Sequence, residues 1–136
     1  MDLVKRNRLV ARLSAEPEPP MVSIAEFFDG NDDLGSIGCN LIEHPGIATF
    51  RDILVGLTER SDVQAVYALI SELDPGPDSW PFADLVLVIG SISAPTLADA
   101  LAPLQPDEIA WARAFNDATK EIAERLPGPM LVAWWD

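Results

Sequence analysis

The stretch Leu85-Val86-Leu87-Val88-Ile89 constrains the fold more than any other part of the chain. It is a short unbroken apolar run, entered through Trp80-Pro81-Phe82-Ala83-Asp84 and left through Gly90-Ser91-Ile92-Ser93. Valines at alternate positions, with Pro, Gly and Ser at the ends, read as a strand buried on both faces or lying central in a sheet. The run itself carries no ionisable or nucleophilic side chain. Function must therefore sit on the loops and surfaces around it.

A central strand needs neighbours, and the rest of the chain offers several. Val63, Val66, Ile70 and Leu73 have helical spacing, while Val63, Ala65, Tyr67 and Leu69 alternate. The turn Asp74-Pro75-Gly76-Pro77-Asp78 and the need to pair the central run favour a strand over 63–73. Met130 to Trp135 reads as a terminal strand, and Ser36 to Leu41 alternates weakly enough for a short one near 37–41. Ile47, Phe50, Leu54 and Leu57 stand three and four apart, predicting a helix from Pro45 to Arg60 with the proline in its first turn. Pro95 opens a short helix with Leu97, Leu101 and Leu104 inward. Pro106, followed by Asp107 and Glu108, starts a long helix over 106–126 whose stripe is Trp111, Phe115, Ala118, Ile122 and Leu126. Ser23 to Glu26 has the form of a capping box for a helix of little more than one turn, ended by Gly30.

These elements predict a two-layer α+β fold with a largely antiparallel sheet of four or five strands and helices packed on one face. The 136 residues suit one domain, 49% of them hydrophobic. Residues 1–20 read as a basic arm and a Pro-rich linker (Glu16-Pro17-Glu18-Pro19-Pro20), and residues 21–136 as the folded domain. The arm suits an edge strand, a short helix on an acidic surface, or a frayed terminus.

Charge narrows the partners. There are 22 acidic residues against 9 basic ones, a formal net charge of −13. Such a field repels phosphate backbones and anionic lipid, so neither nucleic acid nor membrane is expected as a partner, and a basic protein is. Residues 1–14 oppose the trend with Lys5, Arg6, Arg8 and Arg12 against Asp2. A single cysteine and no apolar leader predict a cytoplasmic protein.

Candidate chemistry is sparse. Asp29, Asn31 and Asp33 alternate as calcium-loop ligands do, but Leu34 takes the place of the required glycine and Asn40 that of the closing glutamate, so an EF-hand is excluded. An irregular cation site from Asp29, Asp32, Asp33 and Glu43 competes with the reading that these are turn residues capping their own backbone. Cys39 and His44, with Asn40 or Glu43, have the composition of a thiol nucleophile and its base, and equally of a small apolar residue and a helix-entry histidine. Trp80, Trp134 and Trp135 suit interaction anchors or core residues. The segment Gly35-Ser36-Ile37-Gly38 is too short for a phosphate loop, and no cofactor is called for.

Three passages together, Glu26-Phe27-Phe28-Asp29-Gly30-Asn31-Asp32-Asp33 through Leu41, Asp78-Ser79-Trp80-Pro81-Phe82-Ala83-Asp84, and Trp134-Trp135-Asp136, resemble a group of small acidic bacterial proteins of unassigned function. The resemblance implies a bacterial cytoplasmic protein and no particular chemistry. The functional expectation is a non-enzymatic protein-binding module, immunity- or antitoxin-like. The alternatives are a small enzyme or ligand- or cation-binding domain around residues 29–44, and a homodimer joined through the basic arm.

Overall fold

A computed structural model describes residues 1–136. The sheet has five strands: β1 (Met21–Ser23), β2 (Val63–Glu72), β3 (Phe82–Gly90), β4 (Glu108–Trp111) and β5 (Met130–Trp134). Their order is β1-β2-β3-β5-β4, and every neighbouring pair is antiparallel. The apolar run is the middle of the central strand β3, and Leu85 to Ile89 are all buried. Alternation divides them, with Val86 and Val88 entering the larger core and Leu85, Leu87 and Ile89 the smaller one on the opposite face. Segment 63–73 is the strand that pairs with it, Tyr67 facing Leu87 across the ladder.

The helices are α1 (Leu3–Leu13), α2 (Ile24–Phe28), α3 (Ile47–Leu57), α4 (Ala94–Leu101), α5 (Ala112–Phe115) and α6 (Asp117–Arg125). In α3 the residues buried are the four of the predicted stripe, and Leu97, Leu101 and Leu104 are buried as their spacing requires. Ser23 caps α2 through the Glu26 amide, and Asp2 caps α1 through the Lys5 amide. Helices α1 to α4 lie against the larger core, with Leu9 and Leu13 of α1 inside it.

Four expectations are corrected. The helical cover is not confined to one face, because Ala112, Ile122 and Ala123 of α5 and α6 close the smaller core. The segment near 37–41 is no strand: a single 3-10 turn, Leu34–Ser36, leads into a turn closed by the Leu41 amide on the Gly38 carbonyl. Helix α3 starts at Ile47, not Pro45, because Gly46 takes the N-cap position. The helix over 106–126 is three elements. Ile109 and Trp111 pair with Ala133 and Leu131 as β4. Asn116 is extended and forms a capping box with Thr119, so it begins α6 and ends α5.

One titrating group belongs to this framework. Burial at the entry of β3 pushes the Asp84 carboxyl above its ordinary value of 3.8, while its own backbone and Trp134 pull the other way. A carboxyl that holds its proton more tightly when folded costs stability above that range, and the cost fades as pH falls through the raised value to 3.8 and below. Asp84→Asn should therefore melt higher than the parent at pH 7, with the two curves converging below about pH 4. A difference that instead grew at low pH would reverse the assignment.

Candidate functional site

The acidic loop after α2 is where α1 docks. The N-terminal amine of Met1 lies 2.9 Å from Asp32, and Lys5 Nζ donates to Asp29 at 2.6 Å. Arg12 bridges Glu16 at 3.0 Å and Glu26 at 2.5 Å. Asp33 accepts the Gly35 amide with one oxygen and the Trp80 amide, 2.9 Å away, with the other. Asp29, Asp32 and Asp33 are thus each engaged by a different donor, while Glu43 is exposed. No three His, Cys, Asp or Glu side chains gather as a metal-holding group. The basic arm is a helix seated on the acidic loop of its own chain.

Arg6 fixes the same helix to the next loop and is itself buried. Its guanidinium donates to the carbonyls of Ser79 (3.0 Å) and Gly76 (2.7 Å), to Asn7, and to the carboxylate of Asp74. Such a planar set of donors satisfies several acceptors at once, which a lysine in that place would not.

Cys39 and His44 do not form a nucleophile and base. Cys39 is exposed. The His44 ring lies between two backbone groups, Nδ1 accepting from the Gly46 amide at 2.9 Å and Nε2 meeting the Ile37 carbonyl at 2.8 Å. An acceptor at Nδ1 and a donor at Nε2 define the neutral imidazole, and its task is to close the turn into α3. Asn40 donates to the Asp136 carbonyl instead of orienting the ring.

The tryptophans separate by setting. Trp135 is buried, donates from Nε1 to the Leu104 carbonyl at 2.7 Å and stacks obliquely on Phe50. Trp134 is half-buried against Phe115 on the other face of β5, as neighbours on a strand must be. Trp80 is 1% exposed. Trp111, on the edge strand β4, is 54% exposed.

Charge pairing is equally uneven. Six of the seven ion pairs lie within residues 1–62, and the seventh joins Arg6 to Asp74. From residue 99 onward Asp99, Asp107, Glu108, Asp117, Glu121, Glu124 and Asp136 meet only Arg113, Lys120 and Arg125, and none of these side chains forms an ion pair. At the edge strand β4, Asp107 and Glu108 are therefore open to an external cation, while Glu121 and Arg125 of α6 lie beside Glu18 and Met21 at the other edge of the sheet. No helix of the chain is long and apolar enough to cross a membrane.

The profile of the uncharacterized protein YfbO family matches residues 4–132. The uncharacterized protein YfbO of Escherichia coli (strain K12) is 30% identical over 120 residues, which span 86% of this chain and 83% of that protein. The chain belongs to the uncharacterized protein YfbO family. This bears out the resemblance to small bacterial proteins of unassigned function, and the match includes α1, since it starts at residue 4. No solved structure matches. For this member of the YfbO family the exposed Trp111 and the unpaired carboxylates around β4 are features that sequence reasoning missed, because β4 lay hidden inside an apparent helix. The signal available was Asn116, a strong N-cap residue in the middle of that helix.

Proposed function

We propose that the chain is a non-enzymatic, cytoplasmic protein-binding module, immunity- or antitoxin-like, whose partner is a basic protein. The observation that carries this reading is the open edge of the sheet at β4. Nothing pairs with the outer side of that strand, its Trp111 is largely uncovered, and the exposed carboxylates Asp107 and Glu108 at its start form no ion pair. An extended basic segment laid along β4 would gain backbone hydrogen bonds, an aromatic anchor and charge complementarity together. The opposite edge is less suitable, since β1 has three residues and follows Pro19 and Pro20.

The enzyme alternative loses its geometric support, because Asp29, Asp32 and Asp33 serve α1 or their own loop and His44 serves a turn. The test is partner capture on the immobilised protein. Binding should weaken at least roughly tenfold between about 50 and 500 mM salt. Trp111→Ala should weaken it by about tenfold, or ~1–2 kcal/mol, without a change in circular dichroism. Retention of no basic protein at low ionic strength, or retention indifferent to both salt and Trp111, would end the proposal.

A further inference from the structure

The sheet ladder itself fixes which backbone groups of β4 are spare. Along β5 the Trp135 amide bonds the Asp84 carbonyl, and just before it the Pro129 carbonyl takes the Gly90 amide, so the odd-numbered residues turn to β3 and the even-numbered ones to β4. The register sets Trp134 opposite Glu108 and Val132 opposite Ala110. The backbones of Glu108 and Ala110 are therefore used on β5, and those of Ile109 and Trp111 point to the open side. The Trp111 carbonyl stands at the N-cap of α5, where it accepts the first helical bond. What is left for a guest is the N–H and C=O of Ile109 and the N–H of Trp111. Ile109-Ala110-Trp111 carries none of the prolines, lysines or register shifts that commonly guard an edge. Its two ends differ in chemistry. Asp107 and Glu108 are exposed at the start, the Asp107 carboxylate held in place by the Asp136 amide at 2.7 Å, and the indole of Trp111 is uncovered at the end.

From this juxtaposition, spare main-chain groups between an acidic end and an exposed indole, we infer that β4 takes its partner as an added antiparallel strand of one sequence polarity, a bulky apolar residue followed three places later by lysine or arginine. The inference rests on the protein-binding reading above and adds the direction and spacing of the bound segment. A guest residue facing Ile109 exchanges both main-chain bonds with it. The guest residue two places earlier then faces Trp111 and the one that follows faces Glu108, each with Cβ atoms about 4.5–5.5 Å apart across the pair. The next guest residue comes within reach of Asp107. A parallel guest would need the reverse order, but every pair in this sheet is antiparallel and parallel pairing is slightly less stable per residue. A second copy of the chain is a poorer occupant, since each brings a net charge of −13.

Two peptides of equal composition test this on the full-length, nitrogen-labelled protein, one with a tyrosine followed three and four places later by lysines, the other with that order reversed. The forward peptide should bind with a Kd on the order of 1 mM or below, slow hydrogen exchange at the Ile109 and Trp111 amides, and exceed the reversed peptide at least tenfold. N-methylation of its residue facing Ile109 should cost at least tenfold, as should Glu108→Lys in the protein. Equal binding of the two peptides, protection confined to amides outside β4, or no binding of either up to about 10 mM would overturn the inference. So would a dimer that buries β4 and excludes the peptide. Salt-sensitive capture of a basic protein combined with equal binding of the two peptides would leave the proposed function standing and remove only the strand polarity; discrimination between the peptides without capture of any basic protein would do the reverse.

Discussion

Trp135→Ala should remove a large share of the stability of the fold. The side chain is 1% exposed, packs on Phe50 with ring centroids 5.6 Å apart, and gives the Leu104 carbonyl its indole donor at 2.7 Å. Truncating a buried tryptophan leaves a cavity that a packed core closes only in part, and typically costs about 3–5 kcal/mol. Domains of this kind are stable by roughly 5–15 kcal/mol, so the variant is left near the limit of folding. Its melting temperature should drop by about 10–20 °C, at roughly 3–5 °C per kcal/mol for a chain of this length. Trp135→Phe divides the effect. It keeps most of the packing but leaves the Leu104 carbonyl without its donor, and should cost only about 1–3 kcal/mol. Thermal unfolding followed by circular dichroism measures both. A melting point for Trp135→Ala within about 3 °C of the parent would mean that the core does not rest on this residue.

Trp135 also illustrates which parts of the chain could be read in advance. Adjacent tryptophans on a strand must face opposite ways, so the sequence allows one to be core and the other exposed, or covered by a helix or a partner. Local periodicity served equally well for α3, where four apolar residues on one face became four buried ones, and for β3, whose unbroken apolar run signals burial on both sides. It failed where two patterns coincided. The segment 106–126 has a genuine helical stripe, but Ile109 and Trp111 pair with Ala133 and Leu131, at least 20 residues away, and such pairing leaves no local mark. The candidate site divides along the same line. Opposite charges on residues 1–14 and 29–33 hinted that the arm could meet the acidic loop. Which carboxylates stay unpaired, and which strand edge stays open, depends on three-dimensional neighbours that composition does not contain.

The largest effect of a single added carbon is expected at the exit of the central strand. Gly90 has φ +152, and a Cβ built there would lie 2.2 Å from the Asp62 carbonyl oxygen and 2.9 Å from the Val63 Cα. Both obstacles are backbone, so no side-chain rotation relieves them. Nor is Asp62 free to retreat, since its carbonyl accepts the Ile92 amide at 3.0 Å while the Gly90 amide is tied to the Pro129 carbonyl at 3.0 Å. Glycine is thus required where β2, β3 and the entry to β5 converge. Gly90→Ala should cost at least about 3 kcal/mol, through breakage of these bonds as well as backbone strain of roughly 1–3 kcal/mol. Gly46→Ala isolates the strain, because Gly46 also has a positive φ, +100, yet a Cβ there would meet nothing within 4 Å. That substitution should cost only the backbone strain, about 1–3 kcal/mol. If denaturant titration gave the two variants equal losses, close approach at the strand end would not be the reason for Gly90. A much larger loss at Gly90, with amide exchange accelerating first at Ile92 and Gly90, would show that this end of the β2–β3 ladder, where Val63 faces Gly90, is held through this contact.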